Sequence, residues 1–317
     1  MTATTSPHIV FLSAVAVIAL GYLLRKTGLV TRDHGNALAR IVINVTLPAV
    51  ILETLPEVEL RSALLVFPLL ALVHTAVAFS LATLLFRRRP AAERGLMTMC
   101  SMGFNNGLFA FPIVLGIWGA EAIRILAIFD VGNGLVVLGL NYVVAGWFGG
   151  LAAAGAHQGP PLNIATALRR VGKTVVTSVP MVVFALALVM NLLDLSLPPV
   201  VARPVGTVAG ANGALALLVL GIFQSMSIRR SDIPIIAQVL GLRYLLGAAV
   251  AAVSILVVGT TELYRQILAI VFILPIGMTT IPFSVEFGLD TRLVTTLVNV
   301  SIVVSFALMW AVVVVAG

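Results

Sequence analysis

Continuous hydrophobic runs separated by short polar stretches recur along the whole chain. Each run has about 20 residues, which is the length that an α-helix needs to cross the hydrocarbon core of a bilayer. A membrane β-barrel would instead show segments of about ten residues with alternating polarity. The pattern predicts an all-α polytopic membrane protein with ten transmembrane helices. Their expected positions are 8–24, 36–55, 62–86, 95–118, 122–148, 174–194, 204–226, 233–258, 265–287 and 291–316.

The fourth and ninth predicted spans are interrupted by glycine and proline. Gly107 and Pro112 interrupt the fourth span, and Gly277 and Pro282 lie 170 residues further on, in the ninth. Such residues break the helical hydrogen-bond ladder and free backbone groups, which a bilayer tolerates only where they are buried in protein or line a cavity. A matched pair of interrupted spans is typical of the binding site of a secondary transporter.

Other residues recur at nearly the same offset and indicate an internal repeat. The further pairs are Asn44 with Asn212, Gly119 with Gly288, and Asp130 with Asn299. We predict a first five-helix repeat at 1–148, a cytoplasmic linker at 149–173 and a second repeat at 174–317. Because five is odd, the two repeats would have opposite orientations in the membrane.

The composition excludes other classes of protein and suggests an orientation. The chain is 60% hydrophobic and 10% charged, which excludes a soluble domain and a disordered chain. Its net charge of +7 comes from basic residues at the span ends, so no nucleic-acid partner is expected. Fourteen of the 19 Lys and Arg residues lie in or next to alternate loops, which predicts that these loops are cytoplasmic and both termini are outside. The expected location is a bacterial-type inner (plasma) membrane.

The number of cysteines and the position of the first Lys or Arg residue bear on cysteine chemistry and on a signal peptide. Cys100 is the single cysteine, so neither an intrachain disulfide nor a cysteine metal cluster is expected. Arg25 is the first basic residue and follows the first apolar run, so no cleavable signal peptide is expected.

The residues of the two interruptions form the predicted substrate site. Unwound backbone beside the start of a helix favours an anion, and asparagine amides add uncharged donors. Alternatively, these amides only satisfy the broken backbone, and the threonine hydroxyls only cap it. The predicted substrate-binding residues are Asn44, Asn105, Asn106, Gly107, Pro275, Gly277, Thr279 and Thr280, with Pro112, Pro275 and Pro282 as the helix-breaking prolines.

Four polar residues inside the spans are candidates for coupling transport to protons. A carboxylate at bilayer depth costs about 3 kcal/mol, which makes Asp130 the first candidate, although it could instead face interfacial water. Asn133, one turn away, and Asn299 would line the same polar centre. His74 could relay protons, but a neutral, hydrogen-bonded packing role is favoured.

Two sets of arginines are predicted to be structural. Arg243 is expected to snorkel to the cytoplasmic interface, with attraction of an anionic substrate as the alternative. Arg87, Arg88 and Arg89 are expected to fix the topology rather than to recognise a particular lipid.

Several short segments resemble the auxin efflux carrier family, which includes the plant carriers and bacterial permeases proposed for malonate and malate. The similar segments are Asn44–Pro48, the Asn105-to-Pro112 interruption, Leu242–Gly247, and the run from Leu274 through Pro282-Phe283 to Phe287. The resemblance covers essentially the whole chain. It implies inverted five-helix repeats with broken crossover helices 4 and 9, a fold similar to that of bile-acid sodium symporters.

The resemblance also implies roles for single residues. It places Asn105 near the substrate carboxylate and Pro275 at the second crossover. Phe104 stands where the plant carriers have proline, and Asp130 where they have glutamine. These departures favour an anion other than auxin.

The predicted function is a secondary active carrier of small organic carboxylates that works by elevator-type alternating access. Motifs for metalloprotease, nucleotide-hydrolysing or serine-hydrolase chemistry are absent from the sequence, so the chain is not expected to be an enzyme. No cofactor or metal is expected beyond a coupling H⁺ or Na⁺, and the expected partners are substrate and membrane lipid, with a homodimer left open. The alternatives are a sodium-coupled organic anion symporter and a non-transporting membrane sensor on the same scaffold.

Overall fold

The computed structural model describes residues 6–55, 66–153, 169, 172–173, 176–225, 228–258 and 261–316, and the regular secondary structure there is helical. No strand occurs in these ranges. The α-helices are α1 (Pro7–Lys26), α2 (Arg32–Ile41), α3 (Leu47–Thr54), α4 (Val66–Leu85), α5 (Ala91–Ser101), α6 (Phe111–Gly134), α7 (Asn141–Ala153), α8 (Val179–Leu192), α9 (Pro199–Gly210), α10 (Asn212–Phe223), α11 (Ile233–Val258), α12 (Glu262–Val271), α13 (Thr280–Glu286) and α14 (Thr291–Ala316). Wider π-helical turns at Val42–Thr46, Asn106–Ala110 and Leu135–Leu140 continue into α3, α6 and α7.

Within the described ranges, seven helical segments are long and apolar enough to cross a membrane. Six of them correspond to the first, second, third, seventh, eighth and tenth predicted spans. The remaining one, Asn106–Ala153, joins the second part of the fourth predicted span to the fifth. The sixth predicted span appears as α8, an apolar helix of 14 residues, and residues 174 and 175 of that span lie outside the described part. The fourth and ninth spans are divided into shorter helices.

Both interrupted spans contain a stretch of non-helical backbone. Helix α5 ends at Ser101 and the chain is non-helical to Asn105, with Met102 extended and Gly103 in the left-handed region at φ 58°. Helix α12 begins after Thr261, whose hydroxyl accepts from the N–H of Tyr264, and it ends at Val271. We call residues 102–105 the first break and residues 272–279, which precede α13, the second break.

A glycine with positive φ follows each break. Gly119 has φ 73° and lies at a kink in the long helical segment after the first break. Gly288 has φ 66° and lies in the turn that follows α13. Only glycine adopts this conformation without steric cost, so both bends depend on the absence of a Cβ. The bend at Gly119 separates the parts that the sequence assigned to the fourth and fifth spans.

The chain forms two compact units, and each contains segments of both predicted repeats. The first unit comprises the described residues of Met1–Leu64, Asn106–Ile128 and Thr177–Gln224. The second comprises those of Leu65–Asn105, Phe129–Val176 and Ser225–Gly317. These compact units differ from the predicted repeats at 1–148 and 174–317, which stay a prediction. Helix α7 also continues to Ala153, and most of the predicted linker lies outside the described residues.

In the first unit, α1 packs closely against α10. Gly21 faces the backbone of α10, and Gly221 faces the backbone of α1, so that a Cβ on either residue would overlap a carbonyl oxygen. Arg25 then donates from Nη1 to the carbonyl of Ile222 at 2.8 Å and from Nη2 to that of Gln224 at 2.7 Å. A cation at the last carbonyls of a helix opposes the negative end of the helix dipole.

We expect Gly221→Ala to destabilise the protein by at least ~1 kcal/mol, because the added methyl group would push α1 away from α10. Thermal unfolding of the purified protein in detergent measures the effect. Gly210→Ala is the matched control, since nothing lies within 4 Å of a Cβ at Gly210. Equal melting temperatures for the two variants would show that the close helix approach does not limit stability.

Candidate functional site

The two breaks meet inside the second unit. The N–H of Asn105 donates to the carbonyl of Pro275 at 2.9 Å, which joins the end of the first break to the middle of the second. Both residues are buried. Two segments that are 170 residues apart in sequence are thus paired directly through their backbones.

Arg243 of α11 connects the two breaks through its side chain. The guanidinium is completely buried and lies 4.6 Å from the centre of the Phe104 ring. Its nitrogens donate to the carbonyl oxygens of Cys100, Ser101, Met102 and Gly103 at the first break, and of Leu274 and Pro275 at the second. The shortest contact is 2.6 Å, from Nη2 to the oxygen of Gly103. The predicted snorkelling of Arg243 is therefore wrong.

Arg243 stays in the interior because the breaks leave carbonyl groups without helical hydrogen-bond partners. The last carbonyls of a helix have no intrahelical partner and carry partial negative charge, and two helix ends converge here. A guanidinium offers five N–H donors in a planar arrangement and holds its charge in a delocalised form. No carboxylate forms an ion pair with Arg243 among the described residues. Backbone carbonyls stabilise this buried cation instead.

Close helix packing brings Arg243 to the breaks. Gly247, one turn further along α11, lies against the second break so closely that a Cβ there would overlap the carbonyl oxygen of Phe272. The absence of a side chain at this position lets α11 approach the unwound backbone.

Asn133 of α6 satisfies the peptide groups of the first break. Its Oδ1 accepts from the N–H of Phe104 at 2.8 Å, and its Nδ2 donates to the carbonyl of Phe104 at 3.0 Å. The same amide donates to Oδ1 of Asp130 at 2.8 Å. Asp130 is half-buried and therefore belongs to the network that holds the first break. Asn299 instead donates to the carbonyl of Ser225 at 2.6 Å.

Hydroxyl groups hold the second break. Ser301 of α14 accepts from the N–H of Ile276 at 3.0 Å. Thr279 donates to the carbonyl of Val137 at 2.9 Å, and Thr280 donates to the carbonyl of Gly277 at 2.8 Å. In the structure both threonines therefore satisfy backbone carbonyls, as the capping alternative predicted.

This bonding determines how the site could recognise an anion. The N–H groups of Phe104, Asn105 and Ile276 are all bonded to protein acceptors. The sequence argument had treated unwound N–H groups as donors for the substrate, and the structure assigns these three to the protein itself. Side-chain amides are therefore the better candidates for recognising a ligand.

His74 is buried between aromatic rings of the two breaks. Its ring centre lies 4.8 Å from that of Phe104 and 5.5 Å from that of Phe272. Neither ring nitrogen has a hydrogen-bond partner among the described residues. The packing role expected for His74 is present, without the expected hydrogen bond.

Asn141 is a polar residue that the sequence reasoning missed. Its amide is completely buried, and neither its oxygen nor its nitrogen has a partner in the described part of the chain. It lies beside the first break, since a Cβ on Gly103 would be 3.3 Å from its Nδ2. An asparagine within an otherwise apolar stretch was the available signal in the sequence.

The remaining candidates lie in the first unit or at the surface of the second. Asn44 is exposed and donates to the carbonyl of Arg40 at 2.9 Å. Asn106 is buried, Gly107 faces Leu47, and Pro112 lies against Gly213 within the first unit. Pro282 is exposed in α13 of the second unit. Over the described residues, no group of three or more His, Cys, Asp or Glu side chains could hold a metal ion.

We expect Arg243→Lys to lower the stability of the protein by at least ~3 kcal/mol, because lysine offers three donors from a single point in place of five. The corresponding fall in melting temperature is roughly 6–12 °C and is measured in detergent. Arg265→Lys is the control, since Arg265 pairs with Glu262 at the exposed start of α12. An Arg243→Lys variant as stable as this control would show that the hydrogen bonds from Arg243 to the two breaks do not limit stability.

Comparison with known proteins gives concordant matches. Residues 9–151 match a family model described as membrane transport protein. An uncharacterized transporter of Methanothermobacter thermautotrophicus is 25% identical over 309 residues, which cover 95% of this chain and 96% of the relative. An uncharacterized transporter of Methanocaldococcus jannaschii is 25% identical over 150 residues, covering 45% and 48% of the two chains.

The long apolar helices and these matches indicate an integral membrane protein, and residues 9–151 are similar to the membrane transport protein family.

Proposed function

We propose that the protein is a secondary carrier of small organic carboxylates whose substrate binds beside the two breaks. The observation that carries this proposal is the direct pairing of two interrupted helices around the buried guanidinium of Arg243. Interrupted helices at the interface of two repeats are the usual binding site of secondary transporters. A buried cation that is balanced only by carbonyl dipoles favours an anionic ligand nearby.

Two inverted five-helix repeats are part of this proposal. Helix α5 ends at Ser101 and α12 ends at Val271, 170 residues further on. The glycines with positive φ that follow, Gly119 and Gly288, are 169 residues apart. Equivalent helix ends and bends at one offset support a repeat, and the distribution of basic residues supports opposite orientations with both termini outside.

Alternating access of the elevator type is supported by the division into two compact units. In this proposal the first, second, sixth and seventh predicted spans form a scaffold, and their described residues lie almost entirely in the first unit. Both breaks and Arg243 belong to the second unit. A compact unit that contains most of the proposed binding residues could move as a rigid body, as elevator-type alternating access requires.

Side-chain amides are the proposed contacts to the carboxylate. Asn105 ends the first break, and Asn106 follows it at the start of the long helical segment. Asn141 adds a buried amide beside Gly103. Amide donors bind a carboxylate without a fixed charge that would slow its release.

We expect Asn105→Ala and Asn141→Leu each to lower kcat/KM by at least ~10-fold, which corresponds to one lost interaction of ~1.4 kcal/mol. Uptake of labelled malonate, malate and indole-type acids into proteoliposomes measures the loss. Asn191→Ala is the control, because Asn191 belongs to the first unit, donates to the carbonyl of Leu55 and is not a proposed contact to the substrate. Wild-type uptake by Asn105→Ala would show that the proposed site is wrong. If the unmodified protein bound these acids saturably but did not transport them, the alternative of a non-transporting membrane sensor would be favoured.

Proton coupling through Asp130 is proposed for the driving force. Its carboxylate is joined to the first break by Asn133, so a change of charge at Asp130 would alter the hydrogen bonds that hold the break. Four carbonyl oxygens of the two breaks, those of Met102, Gly103, Leu274 and Pro275, already accept from Arg243, which leaves fewer oxygen ligands for Na⁺. This arrangement favours protons over sodium as the coupling ion.

We therefore expect a pH gradient, and not a sodium gradient, to drive accumulation of substrate. Replacing Na⁺ by K⁺ on both sides of the membrane should change uptake less than about two-fold. Asp130→Asn should abolish accumulation driven by the pH gradient and leave exchange of substrate between the two sides intact. Uptake that requires Na⁺ would support the sodium symporter, and an unchanged pH response of Asp130→Asn would exclude this residue as the proton carrier.

A further inference from the structure

A groove of the second unit, which no residue of either break lines, lies between the end of α4 and the first half of α11. It encloses about 590 Å³, within the range of roughly 300–1,000 Å³ that is common for ligand sites. Its lining consists of Leu81, Leu85, Phe86, Arg88, Arg89, Gln238, Leu242, Leu245 and Leu246. None of the residues predicted for substrate binding or coupling lines it.

The groove is polar at one end and apolar along the rest. On α11, Gln238 precedes the leucines at 242, 245 and 246, and on α4 the leucines precede Arg88 and Arg89. Arg89 donates to Oε1 of Gln238 at 3.2 Å, so the polar residues of the two helices meet at the same end of the groove. Leucine side chains therefore extend from one polar end along both helices.

The two arginines of the polar end differ in their contacts. Arg89 is held by Glu93, at 3.4 Å, as well as by Gln238. Arg88 is exposed and has no ion-pair or hydrogen-bond partner among the described residues. An unpaired guanidinium at the end of an apolar groove is complementary to a negatively charged head group attached to a hydrocarbon chain.

We propose that this groove binds an anionic phospholipid, with the phosphate on Arg88 and Arg89 and an acyl chain along the leucines. The exposed leucines support a lipid rather than a soluble phosphate, since Leu85 is 61% and Leu245 is 76% exposed. A soluble anion would leave that apolar surface uncovered, whereas an acyl chain buries it. The loop that carries Arg88 belongs to the predicted cytoplasmic set, and that leaflet is rich in anionic lipids.

Thermal unfolding of the purified full chain in a neutral detergent tests the site. The probes are phosphatidylglycerol, phosphatidylcholine of the same chain length, and glycerol 3-phosphate, which has the head-group phosphate without chains. We expect phosphatidylglycerol alone to raise the melting temperature saturably. Arg88→Gln should raise the phosphatidylglycerol concentration needed for half the effect about five-fold, which is the usual contribution of one basic residue near a membrane surface.

Two further variants distinguish a specific lipid site from a general effect of positive surface charge. Arg87→Gln removes the same charge from the preceding residue, which does not line the groove, and should respond to lipid as the unmodified protein does. Leu245→Asn changes an exposed lining residue without changing charge and should weaken the response. An equal effect of phosphatidylcholine, or equal losses in Arg87→Gln and Arg88→Gln, would overturn the proposal. A full response to glycerol 3-phosphate would instead assign the groove to a soluble phosphate.

Discussion

The interaction on which the second unit depends is the set of hydrogen bonds from Arg243 to the carbonyls of both breaks. Two helices that stop inside an apolar protein leave several acceptors unpaired, each of which costs about 1–3 kcal/mol when buried. One guanidinium satisfies carbonyls from six residues and offsets the negative ends of two helix dipoles. The glycine at 247 and the ring of Phe104 place the guanidinium there. Without it, the backbone would have to stay helical or admit water.

Most of the architecture could be predicted from the sequence because it depends on local signals. Apolar runs of sufficient length gave seven long helices, and the glycine and proline residues marked both interruptions. The division into compact units could not be predicted in this way, because it depends on contacts between segments far apart in the chain. The first unit, for example, joins α1 to α10 through Gly21 and Gly221.

The site was predicted less well than the fold, and the reason is the same for each residue. The breaks lie close to the predicted positions, but Gly107, Pro112 and Pro282 are in the helical segments that follow the non-helical backbone. The partners of the polar groups in the breaks come from distant helices. Arg243 was expected at the interface because a lone arginine in a span usually snorkels, and nothing local reveals six convergent carbonyls. Asn133 was assigned to a proton pathway by its spacing from Asp130, yet it also pairs with the peptide of Phe104.

The distribution of hydrogen bonds constrains how such a site can select an anion. The N–H groups of Phe104, Asn105 and Ile276 hold the breaks together, so they cannot also release and rebind a substrate in each cycle without loosening the structure. The fixed charge of Arg243 is likewise surrounded by carbonyls. A ligand that meets side-chain amides beside this charge would feel its field without displacing its partners. In the proposed carrier, selection and structural support would belong to different groups, which would allow binding to be reversible.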